Sequence, residues 1–126
     1  MKKNSENESK QREIQQRAFT FACHIVKLYQ FLAKHEKNGE IIGRQVLRSG
    51  TSIGANLEEA KAAQSKPDFI SKCNIALKEA RETDYWLRIL MDTEVVPAGK
   101  LRPLANESNE LVAILTTIVK KSKTGR

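Results

Sequence analysis

At 126 residues the chain has the length of one domain, and its 29% charged and 40% hydrophobic residues are ordinary for a globular protein. Only 6% of residues are aromatic and three are proline, a balance that leans away from strands and toward helices. The formal charge of +7 suits a polyanionic partner. No stretch approaches the roughly 20 apolar residues of a membrane span, and Met1 to Arg12 is polar throughout, without the apolar core of a secretory signal. A soluble, cytoplasmic protein with no membrane partner is expected.

Four segments then show apolar residues spaced three and four apart, the period of an amphipathic helix. The first runs Ile14, Ala18, Phe21, Ile25, Leu28 and Leu32. The second contains Ile42, Val46, Ile53, Leu57 and Ala60, and the third Phe69, Cys73, Ala76, Ala80, Thr83, Leu87 and Leu90. The fourth runs Leu101, Leu104, Ser108, Leu111, Leu115 and Ile118. Between them stand stop and start signals. Asn38-Gly39 reads as a C-cap and turn. Ser65-Lys66-Pro67-Asp68 reads as an N-cap with proline in the first turn and an acid at the positive helix end. Val96-Pro97-Ala98-Gly99 reads as a separator. The spacing predicts helices over about 10–36, 41–64, 67–93 and 100–121, with 1–9 and 122–126 frayed, in a single domain. All three connections are short, which favours antiparallel neighbours. The expected fold is all-α: an antiparallel up-down-up-down four-helix bundle.

Helix 1 carries a second apolar stripe, Phe19, Ala22, Val26 and Tyr29, and helix 3 adds Ile75, Trp86 and Ile89 beside its main seam. Such stripes either widen the core face or mark a subunit interface. On the interface reading, Phe19, Val26, Tyr29, Trp86 and Ile89 are the contact candidates. Helix 2 is rich in small and polar residues. Gly50 and Gly54 each cost about 1 kcal/mol relative to alanine in a helix interior, which a closely approaching neighbour would offset. Gln45, Ser49, Ser52, Asn56 and Glu59 form a polar seam with Arg48 at its edge. Buried polar groups need partners, so the seam is expected to bond to another helix, another subunit or a ligand, in that order.

The excess charge belongs to the two ends of the sequence. Residues 1–35 carry seven basic and three acidic side chains, and residues 94–126 six and three, whereas 36–93 balance at nine and nine. Helix 1 shows a basic stripe of Arg17, Thr20, His24, Lys27, Phe31 and Lys34, and the C-terminal segment adds Lys120, Lys121, Lys123 and Arg126. These are either a solvated face and a charged terminus or a surface for a phosphate backbone. On the second reading Arg17, Lys27, Lys34, Arg48, Lys120, Lys121 and Lys123 are the nucleic-acid candidates.

Catalytic signatures are missing. There is no phosphate-loop motif and no HExxH or Glu-x-x-His pair for a di-iron bundle site. His24 and His35 are three turns apart, too far to share a metal. Two cysteines, Cys23 and Cys73, build neither a disulfide framework nor a four-ligand zinc site. Glu58, Glu59, Glu79 and Glu82 have basic neighbours and read as surface or interhelical ion pairs. Neither an enzyme nor a cofactor or metal is expected.

The segment QVLRSGTSIGANLEEAKAAQSKPDF resembles the 23S rRNA-intervening sequence protein family, the bacterial "four helix bundle proteins", whose pattern reads Q-x-x-R-S-x-x-S-I-x-x-N-[IL]-x-E-A followed by D-F. The match falls on Gln45, Arg48, Ser49, Ser52, Ile53, Asn56, Leu57, Glu59 and Ala60, and continues through Asp68, Phe69, Ile75, Ala76, Glu82, Tyr85 and Leu87. The likeness covers about residues 17–120. It implies a four-helix bundle that assembles as a barrel-like homopentamer. Members occur as reading frames inside insertions in bacterial 23S rRNA genes. A similar bundle, the accessory protein of diversity-generating retroelements, binds a reverse transcriptase and nucleic acid through basic surface. Rather than a catalytic role, the resemblance gives Gln45, Ser49, Ser52, Asn56, Glu59 and Glu82 a part in helix and subunit packing. The leading expectation is a non-enzymatic homo-oligomer that binds rRNA or another nucleic acid. The alternative is an adaptor for a protein partner with no nucleic-acid role.

Overall fold

The computed structural model describes residues 2–35, 37 and 39–124, and of residues 2–5, 7 and 8 the backbone alone. Four helices account for the chain's order: α1 (Lys2–His35), α2 (Gly39–Lys61), α3 (Lys66–Asp92) and α4 (Ala98–Thr124). Among the described residues there is no strand. Both outer helices exceed the expected limits. α1 begins at Lys2 rather than near residue 10, and α4 continues to Thr124. No proline or glycine interrupts 2–35 or 104–124, so nothing in either segment stops the helix.

The connections show how each helix is ended. The expected cap at Asn38 lies outside the described residues, and Gly39 is already the first residue of α2. After α2 the amides of Ala62 and Ala63 donate to the carbonyls of Glu59 and Ala60, each at 3.1 Å, tightening the last turn. The chain then reaches Ser65, which is extended (φ −152°, ψ 164°) and accepts from the Asp68 amide on its Oγ at 3.2 Å. With Pro67 in the first turn, this is the N-cap the sequence predicts. α3 ends at Asp92, within a residue of the expected limit. The Glu94 amide donates to Met91 O at 3.1 Å and the Val95 amide to Leu90 O at 3.2 Å, a paired closure with Glu94 in the left-handed region at φ 57°. Gly99, read from sequence as part of a separator, instead lies inside the first turn of α4.

The helices pack in sequence order and antiparallel. Along α1 and α2, Gln15 Nε2 donates to Leu57 O at 3.3 Å, Ala18 lies beside Gly54, Ile25 beside Gly50, and Leu32 beside Gly43. Along α2 and α3, Ser49 meets Thr83 and Glu59 meets Lys72. Ser108 of α4 donates to Asp84 of α3 at 3.1 Å. The core follows most of the predicted seams, with Phe21, Ile25, Leu32, Ile53, Leu87, Leu90, Leu101, Leu111 and Leu115 fully buried. Leu28, Ile42, Phe69, Leu104 and Ile118 are only half-buried, and Leu77, Val96, Ala105 and Val119, off those seams, are buried as well. Each fully buried side chain contributes roughly 1.5–3 kcal/mol on leaving water. The fourth side of the bundle is looser. α1 and α4 pack far less closely than the three consecutive pairs, and a cleft opens between them.

Three polar side chains are buried in this core, Ser49, Thr83 and Ser108, and all are hydrogen-bonded. Thr83 Oγ1 lies 2.8 Å from both Ser49 Oγ and the Glu79 carbonyl oxygen, while Ser49 Oγ has its own Val46 carbonyl at 3.5 Å. The pair therefore ties the middle of α2 to α3. Thr83→Val should leave the Ser49 hydroxyl with only its long contact to Val46 O and cost about 1–3 kcal/mol, whereas the double variant Ser49→Ala/Thr83→Val should lie nearer neutral, because it removes both polar groups. Urea unfolding of the two variants checks this; additive losses would show that the hydroxyls are not coupled.

The two helix-2 glycines differ in what surrounds them. A Cβ on Gly50 would stand 2.9 Å from two side-chain carbons of the buried Ile25, whereas one on Gly54 would meet Ala18 Cβ at 3.6 Å, an ordinary contact. Both alanines gain helix propensity. Gly54→Ala should stabilise by up to about 1 kcal/mol, and Gly50→Ala should destabilise by about 1–3 kcal/mol through overpacking. Equal stabilisation by both in a denaturant titration would contradict the close approach of α1 to α2.

Candidate functional site

The polar seam of α2 faces outward along its groove with α3. Spacing of three and four places Gln45, Arg48, Ser52, Asn56 and Glu59 on one side, opposite Ile75, Glu79, Glu82, Trp86 and Ile89 of α3. Arg48 reaches across to two carboxylates, Nη1 donating to Glu79 at 3.3 Å and Nη2 to Glu82, while Trp86 Nε1 donates to the same Glu82 oxygen at 2.9 Å. The guanidinium expected to meet phosphate is thus already closed on two acids. Glu59 pairs with Lys72 at 3.4 Å. Ser52 and Asn56 turn back on their own helix, donating to Arg48 O at 2.6 Å and Ser52 O at 2.9 Å, and Gln45 is exposed. Of the seam proper, Ser49 and Glu59 cross to the neighbouring helix.

A second clasp joins α1 to α4. Arg17 donates through Nε and Nη2 to the two oxygens of Glu107, at 3.0 and 2.7 Å, and through Nη2 to Glu110 at 2.8 Å. Hydrogen bonds and attraction from both carboxylates hold the guanidinium proton still more firmly than usual. Arg17 therefore shares the fate of Arg48. Glu107 and Glu110 carry no sequence signal as its partners beyond their three-residue spacing, since they lie 90 or more positions away. Next to this clasp is a cleft of about 700 Å³ walled by Thr20, Phe21, His24, Pro103 and Leu104. Pro103, inside α4, has no amide to give the Gly99 carbonyl one turn back.

The lysines behave differently. Lys27, Lys34, Lys120, Lys121 and Lys123 are all exposed, and none forms an ion pair among the described residues. They do not form one patch. Gln11 and Ile14 lie against Ile118, so the lysines at the end of α4 sit beside the start of α1. Lys27 and Lys34 lie 13 to 20 residues further along that helix, about 20–30 Å at 1.5 Å per residue.

On the opposite side of α1, Phe19 is 63% and Val26 37% exposed. Tyr29 is half-buried, its hydroxyl donating to Glu40 at 3.4 Å. Trp86 and Ile89 of α3 are half-buried, and Trp86 packs on the core. Ile41, 67% exposed at the start of α2, was not singled out by periodicity because it lies off the seam. Cys23 is exposed; burial pushes the Cys73 thiol up to about 11, which keeps it protonated and unreactive. Among the described residues, no three His, Cys, Asp or Glu side chains converge to hold a metal ion, and no helix is long and apolar enough to cross a membrane.

The comparisons with known proteins agree with this architecture. The profile of the 23S rRNA-intervening sequence protein family matches residues 10–117. Among solved structures the chain is similar to a crystal structure from Bacteroides thetaiotaomicron, described as a protein with unknown function from the S23 ribosomal protein family. The two share 46% sequence identity with a TM-score of 0.82, over 88% of this chain and 98% of that one. No curated protein matches. With the four helices, the seam of α2 and nearly the whole length accounted for, the chain belongs to the 23S rRNA-intervening sequence protein family.

Proposed function

We propose that this protein is a non-catalytic, cytoplasmic, self-associating bundle that holds nucleic acid, with structured RNA the first candidate, through the phosphate contacts of its free lysines. One observation carries the reading: Arg17 and Arg48 are closed on carboxylates, whereas Lys27, Lys34, Lys120, Lys121 and Lys123 face solvent unpaired among the described residues. With a net charge of +7, such a surface attracts a polyanion without reading its sequence. The family's name, with its reference to 23S rRNA, makes ribosomal RNA the natural ligand to try. Self-association is supported by the apolar stripe of Phe19 and Val26, which a lone bundle leaves in water. The resemblance suggests a pentamer.

Binding of an rRNA fragment should weaken linearly in a plot of log affinity against log salt. Charge reversal at Lys27, Lys34, Lys120 or Lys121 should lower affinity across sequences and reduce the slope by about 1 each. Absence of binding to rRNA and duplex DNA at low salt contradicts the reading. Light scattering tests assembly separately: a strict 14.2 kDa monomer at micromolar concentration contradicts it. The adaptor reading rests on the same apolar stripe together with Ile41, and recovery of one protein partner in a nuclease-treated pull-down would favour it.

A further inference from the structure

From Ile14 through His35, 22 consecutive residues of α1, there is no acidic side chain. Within that run His24, Lys27, Phe31, Lys34 and His35 fall on the α4-facing outer side, within about 100° of helix circumference at 100° per residue. Lys27 and Lys34 are exposed. Between them Phe31 is 40% exposed, with its ring centroid 4.7 Å from that of His35 and the planes tilted by 40°. Toward the N-terminus the same face runs into the cleft of about 700 Å³, where His24 stands beside Phe21, Pro103 and Leu104, and whose lining continues to Glu13, Gln16 and the Arg17–Glu107 pair. That volume lies in the range of small organic ligand sites, which are apolar with a few polar groups at the rim. Flat apolar surface is thus interleaved with cations at helical spacing. α4 itself offers no such interleaving, since no aromatic residue occurs between Leu87 and the C-terminus, and Phe69 of α3, which lies at that end of the bundle with Ile118, is half-buried against the core.

We propose that this face of α1 binds unpaired nucleotides. Bases stack on the Phe31–His35 pair and enter the cleft beside His24, and Lys27 and Lys34 take the flanking phosphates. Lys27 and Lys34 select a polyanion whose phosphates lie at their end of the face, away from Glu13 and Glu107 on the cleft lining, and the aromatic pair selects one whose bases are free to leave their own stack. In a duplex the bases are paired and stacked inward, so a double strand can use the lysines but neither Phe31 nor the cleft. The inference rests on the nucleic-acid reading above and goes beyond it in committing to a single-stranded ligand and to one of the two lysine clusters.

The test uses the full chain and a short labelled RNA single strand of mixed sequence, alongside the duplex it forms with its complement. The wild type should prefer the single strand. Phe31→Ala should weaken single-strand binding by about 5- to 100-fold, the cost of one lost base stack, with duplex binding unchanged. Phe31→Trp should restore affinity, and its indole fluorescence should quench on binding, a signal a purely structural role would not give. Thr20→Trp, which fills the cleft, should weaken the single strand alone. Equal or tighter binding of the duplex overturns the proposal, as does a Phe31→Ala affinity within twofold of wild type. If Lys120→Glu/Lys121→Glu weakens both ligands while Phe31→Ala weakens neither, the nucleic-acid reading stands and the α1 platform falls. If the wild type binds neither at low salt, both fall.

Discussion

Arg17, held by Glu107 and Glu110, spans the side of the bundle where apolar packing is thinnest. The other three seams close on buried aliphatic side chains and small residues, which bring α1 within direct contact of Gly50 and Gly54. Between α1 and α4 the contact is sparse, and a planar guanidinium with two parallel bonds to one carboxylate and a third to the next supplies geometry that a lysine could not. The cleft beside it, with Pro103 on its wall, is the space that the incomplete apolar seam leaves.

The same use of charge recurs on the far side, where Arg48 closes on Glu79 and Glu82 and Trp86 fixes the second of these. Both networks consume guanidinium groups in holding helices together. Of the cations read from sequence as nucleic-acid candidates, the lysines remain, with compact, hydrated heads that seek phosphate without fixed geometry. The partition is what separates the structural part that the helix-2 motif plays from the binding role we propose for the outer face of α1 and the end of α4. A motif of polar residues on a helix is easily taken for a ligand site. Here Ser49 and Arg48 are occupied by α3, and Ser52 and Asn56 by their own backbone.

Much of the fold was legible because helical burial has a period. The seams from Ile14 to Leu32 and from Cys73 to Leu90 reappear as the core, and Ser65 caps α3 as its sequence context requires. The closure after α3 was not legible, because a left-handed position filled by Glu94 rather than glycine carries no sequence mark. Gly99 was misplaced for the converse reason: glycine marks a turn in most contexts, yet the first turn of a helix tolerates it. The site was less readable than the fold. Arg17 and Arg48 look like free cations in a sequence, since the acids that neutralise them lie at least 31 positions away and come near through antiparallel register. Periodicity can assign a residue to a face, but it does not pair faces.

Arg17 and Arg48 are satisfied within the bundle, and the proposed polyanion would meet the outer face of α1 and the end of α4 instead. Ultraviolet crosslinking of bound RNA, followed by mass spectrometry of the modified peptides, reads this most directly. Crosslinks should fall on the α1 peptide containing His24 to His35 and on the peptides around Lys120 to Lys123. Crosslinks confined to the α2–α3 face around Arg48 and Trp86 would contradict the account.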